Sequence, residues 1–517
     1  MNKIKRLFAF IFVLLGVLSL ASCAKTFEAS IDKLTPTRDT ITVEASFETD
    51  NEIISGKAVP YVKIFEVKDK EEKYIENDQN INLNSRKDAG TAEFKDLEPG
   101  MDYKVYLYIK YNGSETKIGD GVKATTLKNG TSEDDPVIIT NVDEFLAMGK
   151  DNKGYYKLAN DIDFEGAQID DMFSSSNPFK GSFDGNGKTI SNFKIKSASN
   201  AGIFGQAEGA TIKNLNILDP IIDWDNGRSS TNAAILVGRA ISTTIRSINI
   251  TNPKITVSAN SSADINLAVL VGLAENCSVK DVKIQNAALN LTRSRLKVAT
   301  GLAFGMLKGQ GIDGVFVENV YVEGNISANA YYNNQEGFTF IGGFAGSIAA
   351  IGEVKDCASI ATITITKEVN TQYTDDFNLA AGGFIGMNQG QMNINRCAAI
   401  SDINLYAGKL PVEGSTNESL LEVQMSKKPI YVGGFIGRAK KIFFGIKDSI
   451  AKPLNNGLSI YAKESITVDE VTTKLVYKGD FVGDTDDLDG IINSIEQTTP
   501  VEYDATVKSM LDTKKLA

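Results

Sequence analysis

Histidine does not occur among the 517 residues. Its absence removes the commonest general base, the usual middle member of a Ser-His-Asp triad and the commonest zinc ligand. Metal hydrolases and ordinary serine or cysteine hydrolases are therefore not expected. A Gly-Lys-Ser/Thr phosphate loop is also missing, which leaves nucleotide hydrolysis without a foothold, and no cofactor or metal is expected. Cysteine is scarce at four residues, so no disulfide framework is implied. Basic residues are outnumbered, 54 Lys and Arg against 65 Asp and Glu, for a net charge of −11. With Lys3, Lys5 and Arg6 set aside the balance is about −14, a surface that repels nucleic-acid backbones and anionic lipid. No nucleic-acid partner is expected. Long apolar runs are missing after residue 23, so no later segment is suited to crossing a bilayer. A chain this long exceeds one ordinary core, and separate domains or a solenoid must share it.

The one apolar run lies at the start. Lys3, Lys5 and Arg6 precede Leu7 to Leu20, and the run closes in Leu20-Ala21-Ser22-Cys23. Its length of about 14 residues falls short of the ~20 that a spanning helix needs. Residues 1–22 resemble a bacterial lipoprotein signal peptide. The resemblance implies cleavage before Cys23, with diacylglycerol and a further acyl chain such as palmitate on that cysteine. An ordinary secretory signal with an incidental Cys23, or an N-terminal membrane helix, are the alternatives. Two acyl chains anchor stably where one holds only marginally. The expected location is extracytoplasmic, lipid-anchored to the cell membrane, or to the outer membrane if the host has one.

What the chain has in abundance is a repeat. Eight times a small residue, three mostly apolar residues and a glycine recur, closing at Gly205, Gly238, Gly272, Gly305, Gly346, Gly386, Gly437 and Gly483. Four residues before each glycine stands Ala201, Ala234, Ala268, Gly301, Gly342, Gly382, Gly433 or Gly479. Two before it stands Ile203, Leu236, Leu270, Ala303, Phe344, Phe384, Phe435 or Phe481. Adjacent apolar residues cannot both point inward from a regular strand, so one of them must sit at a corner or under an outer cover. A second strand follows each glycine, as in Ile212 to Ile217, Ile245 to Ile250 and Val279 to Ile284, and a third short segment comes after it. Three strands and three bends per unit describe one coil of a parallel β-helix. Later units are longer, which places extra chain in loops between coils.

The fold class that follows is all-β: an N-terminal immunoglobulin- or fibronectin-like sandwich, then a right-handed parallel β-helix solenoid. Residues 23–36 are expected to be a lipid-anchored leader and 37–127 the sandwich, with strands at Ile41 to Phe47, Ala58 to Val67 and Tyr103 to Ile109. The turn Leu97-Glu98-Pro99-Gly100 with Tyr103 resembles the corner of a fibronectin type III domain in which a tyrosine ties down the turn. The usual tryptophan of the second strand is absent, with Phe47 as its substitute. Residues 128–137 read as a linker, 138–200 as a helical cap and the opening region of the β-helix, 201–496 as the coils, and 497–517 as a C-terminal cap or tail. Tyr155 to Phe164, Phe179 to Ile190 and Gly202 to Gly205 resemble the GLUG repeat of bacterial surface β-helices, found in adhesin-like proteins. The resemblance implies a structural signature and names no reaction.

Candidate residues fall into four groups. Tyr331, Tyr332 and Tyr373, with the aperiodic insertion 406–431, suit contact with a glycan or a surface protein, or else cover the flank of the solenoid. Asp281, Asp313 and Asp356 stand at comparable offsets past their glycines. They are the carboxylates that an alternative, a polysaccharide-processing glycosidase or lyase, would use, although a graded Asn/Ser/Asp column also reads as turn chemistry. Asp161, Asp163, Glu165 and Asp170 offer oxygens to calcium or cap turns. Cys357 and Cys397 occupy equivalent places in neighbouring coils and stack as thiols or as a strained disulfide. The leading expectation is a non-catalytic surface lipoprotein that displays its solenoid for adhesion.

Overall fold

The computed structural model describes residues 26–485, apart from 69, 128–129, 171, 197–198, 227–230, 260–263, 295–297, 310–313, 332–337, 369–377, 408–428, 441–444, 462–464, 469–470 and 475. Cys23, the signal region and residues 486–517 lie outside that part. Among the described residues, no helix is long and apolar enough to cross a membrane. The chain divides into two compact units, Met1–Thr131 and Ser132–Ala517.

The first unit is a sandwich of two four-stranded antiparallel sheets. Its strands are β1 (Ala29–Pro36), β2 (Ile41–Phe47), β3 (Ala58–Lys68), β4 (Glu71–Asn80), β5 (Asn82–Leu83), β6 (Ala89–Phe94), β7 (Asp102–Tyr111) and β8 (Ser114–Thr125). One sheet runs β1-β2-β6-β5 and the other β4-β3-β7-β8. Alternation drives the inner faces together: Ile41, Val43, Ala45 and Phe47 from β2 meet Val62, Ile64, Val105, Leu107 and Ile109 in one core. The hydroxyl of buried Tyr103 accepts the Glu98 N–H at 2.9 Å, which pins the turn before β7. The expected leader 23–36 is corrected here, because Ala29–Pro36 is a paired strand. A register shift between Ile31 and Lys33 puts Ile31 and Leu34 on one side, so the alternation that marks a strand is broken in the text.

The second unit is a β-helix-like solenoid of parallel strands. Each closing glycine is the second residue of a strand, from Phe204–Glu208 and Val237–Ile241 to Val482–Thr485, and these strands form one eight-stranded sheet. The strands just before them, from Asn200–Ala201 to Val476–Gly479, form a second. A winding has four straight segments, not the three expected from the sequence: Asn200–Ala201, Phe204–Glu208, Thr211–Leu218 and Ile221–Asn226. Thr211–Leu218 is itself kinked at Asn214, whose φ of 56° lies in the left-handed region that Asn tolerates.

Steric contact explains the glycines. A Cβ on Gly238 would lie 2.7 Å from Ala201 N, Asn232 O and Gly205 O, so the backbones of two sheets meet there with no room for a side chain. The two apolar residues before the glycine are both buried in every winding but the last, where Phe481 and Val482 are partly buried, because the chain turns between them: Ile203 sits at the corner and Phe204 begins the strand. In the later windings the rings form a dry column. Centroids are 4.3 Å apart for Phe344 and Phe384, 4.8 Å for Phe384 and Phe435, and 4.7 Å for Phe435 and Phe481, with near-parallel planes. Each fully buried ring contributes about 3 kcal/mol of apolar transfer.

The near end of the stack is covered by the helix Val142–Ala147. Asn141 Oδ1 accepts the Glu144 N–H, and the Glu144 carboxylate reaches back to the N–H and hydroxyl of Thr140. These bonds hold the Glu144 carboxyl below the usual carboxylate range. Phe145, fully buried, meets Phe164 and Phe183 edge-on at 5.6 and 6.0 Å. The second half of the expected linker also belongs to this unit: Val137–Ile139 pairs with Tyr155–Leu158, and Glu133 bonds Lys213 and Ser182.

Candidate functional site

The two eight-stranded sheets meet at the tight glycine corner, and their outward side chains close against each other along the solenoid. One column comes from the residues that alternate with core-facing Ala233 and Ile341: Asn200, Asn232, Asn266, Ala299, Phe340, Ala380, Tyr431 and Tyr477, each laterally paired with the next. The facing column includes Gln206, Arg239, Leu273, Met306, Ser347, Met387, Arg438 and Asp484. The first windings make this strip a polar ladder. Asn232 Nδ2 donates to Asn200 Oδ1 and Asn266 Nδ2 to Asn232 Oδ1, both at 2.8 Å, and Asn200 donates to Gln206. Each rung satisfies the amide below it, as stacked coils allow.

The later windings make the same strip aromatic. Phe340, Ala380, Met387 and Tyr431 form a small outer cluster with Phe338 and Tyr477 packed against it. The Arg438 guanidinium lies 4.3 Å from the centre of the Tyr431 ring and 3.5 Å from the Asp484 carboxylate. Asp484 thus belongs to an ion pair on the last described strand.

Of the candidate binding residues, little falls within the described part. Tyr331 ends the strand Val315–Tyr331, opposite Glu368, and only its backbone belongs to the described residues. Tyr332, Tyr373 and most of the 406–431 insertion lie outside them. The connections that carry them lead directly into Phe338–Gly342, Asn378–Gly382 and Ile430–Gly433, which are neighbouring strands of one sheet. The aromatic strip itself was not singled out in the sequence. Its signal is the aromatic at every second position in Phe338-Thr339-Phe340, on a face where earlier windings place Asn.

The carboxylate column needs correction. Lys280 pairs with Glu318 and Val282 with Val320, so the partner of Asp281 is Asn319 and not Asp313. Asp313 lies outside the described residues, and counting from Gly305 misplaces it because the connection there is longer. The true column, Asn214, Ser247, Asp281, Asn319, Asp356, Arg396 and Asp448, has left-handed φ throughout. It is a bend that short polar side chains stabilise. Asn319 donates to Asp281 at 2.7 Å, and Arg396 holds Asp356 through two bonds of 2.6 Å.

The acidic residues near the opening coils are also engaged. Asp161 accepts the Thr189 N–H, Asp163 accepts from the Glu165 N–H and the Asn192 amide, and Asp170 pairs with Lys196 at 3.4 Å. Among the described residues no group of three acids or cysteines is placed to hold a metal. Cys357 and Cys397 are buried free thiols in adjacent coils, and burial, then each other's proximity, pushes Cys357 well up. Burial likewise lifts Cys277 to about 11, so Cys277 and Cys357 are packing residues and poor nucleophiles at neutral pH.

No protein-family model matches the chain, and no curated protein matches it.

Proposed function

We propose that this protein is a non-catalytic, lipid-anchored surface protein that presents its solenoid to a glycan or to another surface protein. The observation that carries the reading is the outer aromatic cluster of Phe340, Tyr431 and their neighbours, on neighbouring strands Phe338–Gly342, Asn378–Gly382 and Ile430–Gly433 that each follow one of the longer connections in the sequence. Longer connections on a rigid scaffold are where solenoids bind partners. The lipoprotein-like Leu20-Ala21-Ser22-Cys23 and the GLUG-like Tyr155 to Gly205 text support an envelope location and an adhesin-like role. The sandwich, in this reading, is the spacer that follows the anchor at Cys23.

Probing arrays of glycans and extracellular-matrix proteins with the chain, and with a variant lacking 408–428, tests the reading. The expected result is a partner bound at about micromolar strength whose signal falls at least tenfold on deletion. Absence of any partner, or a signal indifferent to the deletion, defeats it.

A further inference from the structure

The outward face of the β4-β3-β7-β8 sheet is unusual for a sandwich. Alternation sends Val62, Ile64, Val105, Leu107 and Ile109 to the core, so the other face should be polar. It carries five aromatic rings instead. Tyr61 stands opposite Tyr108, Lys63 opposite Tyr106, and Phe65 opposite both Lys104 and Tyr74. Tyr61 and Tyr108 stack at 5.7 Å, and Phe65 meets Tyr74 and Tyr106 at 5.3 Å each. Lys117 Nζ lies 3.7 Å from the Tyr106 ring centre and Lys63 Nζ 4.9 Å from that of Tyr108. The sandwich already closes its core without these rings; Tyr61 and Tyr106 are buried beneath their neighbours, Phe65 and Tyr108 are half-buried, and Tyr74 keeps 40 % of its surface in solvent, so the last three are the rings a ligand can reach.

Charge on this face is balanced locally. Lys63 pairs with Glu115 at 3.1 Å and Asp78 at 3.9 Å, and Lys104 pairs with Glu72 at 2.9 Å. Tyr106 donates to Glu72 and Tyr74 to Asp78, each at 2.6 Å. The Tyr106 hydroxyl and the Lys104 ammonium hold the Glu72 carboxyl below its usual range, while the bond to Asp78, with burial, pushes Tyr74 up to about 12. The face therefore keeps its ion pairs at neutral pH and offers little net field to a charged polymer.

We propose that this face is a binding platform for a neutral glycan, a site separate from the solenoid and independent of the reading given for it. A pyranose ring presents a flat C–H surface and a rim of hydroxyls. Aromatic rings bury the first, and Lys–carboxylate pairs supply adjacent donors and acceptors for the second. Nucleic acids and acidic polysaccharides gain no such match here.

Calorimetric titration of the full chain, in a detergent without sugar, tests this with cello-, manno- and chito-hexaose against oligogalacturonate and a heparin hexasaccharide. Saturable binding of a neutral hexasaccharide is expected, weakened about tenfold by Tyr74→Ala and by Tyr108→Ala. Circular dichroism and the thermal midpoint serve as the folding check, and Tyr74→Ala, on an exposed edge strand, is the variant least able to disturb them. Binding that survives deletion of 408–428 separates this site from the solenoid. Silence from every neutral sugar at about 5 mM, preference for the anionic ones, or affinity untouched by both variants overturns the proposal.

Discussion

The first and last windings of the solenoid solve one corner in two ways. In the early ones alanine enters the corner and Ile203, Leu236 or Leu270 fills it, with an asparagine ladder outside. In the late ones glycine enters, phenylalanine fills, and aromatic residues line the outer strip. Glycine and phenylalanine go together because the turn is tighter there. A Cβ on Gly342, Gly382 or Gly433 would fall 1.9 to 2.0 Å from the carbonyl three residues on, whereas Ala201 and Ala234 are accommodated. The tighter corner is found where the ring column runs and where the chain inserts its longest connections. Rigidity and added loop therefore occur in the same windings.

Converting a late winding toward an early one should break this pairing. Gly382→Ala is expected to cost about 3 kcal/mol in urea unfolding, since its Cβ meets the Ile385 carbonyl and the Gly437 N–H. The reverse change, Ala234→Gly, should cost about 1 kcal/mol, chiefly backbone entropy. Equal effects would remove the steric account.

A second contrast concerns how late windings hold their connections. Asp402, 4 % exposed, accepts the N–H groups of Asn455, Asn456 and Gly457. Desolvation pushes its carboxyl up, but these bonds outweigh it and hold the group below the ordinary carboxylate range. A depressed carboxyl stabilises above its unfolded pKa, near 4, and the contribution fades as pH falls through the folded value. Asp402→Asn should therefore cost about 2 kcal/mol at pH 7 and progressively less below pH 4, read from unfolding curves of both chains. A gap that stays constant to pH 3 would contradict this.

A change in the ring column itself sharpens the comparison most. Phe384→Leu keeps an apolar filler of the early type but removes two stacked contacts, and should cost about 1.5 kcal/mol by thermal unfolding. Exchanging Leu236 for Ile in an early winding should cost less than that, with no ring column to lose.

The coils were legible because steric need is written as residue identity: only glycine fits at Gly238 or Gly346, so the register shows in the text. Other features were hidden by local shifts. The bulge at Ile31 broke the alternation of β1, and a longer connection after Gly305 moved Asp313 beside Asp281 in a count that the strands do not follow. The fourth segment escaped notice because the corner at Gly202 and Ile203 divides the short stretch before each glycine into two strands, Asn200–Ala201 and Phe204–Glu208, inside what reads as one apolar run. The sandwich's aromatic face was present as Tyr106 and Tyr108 between Val105, Leu107 and Ile109. Tyrosines at two successive positions meant for polar residues, flanked by Lys104 and Lys110, are the sign that such a face leaves.

Parallel coils hand their ladder bonds only to the coil above and the coil below. Segments of such different span as 295–297 and 408–428 therefore join strands whose register is the same, Leu267 over Thr300 and Ala381 over Val432. Chain can lengthen or shorten at that margin without a single rung being re-paired, so these connections can be rewritten while the molecule's spine stays as it is.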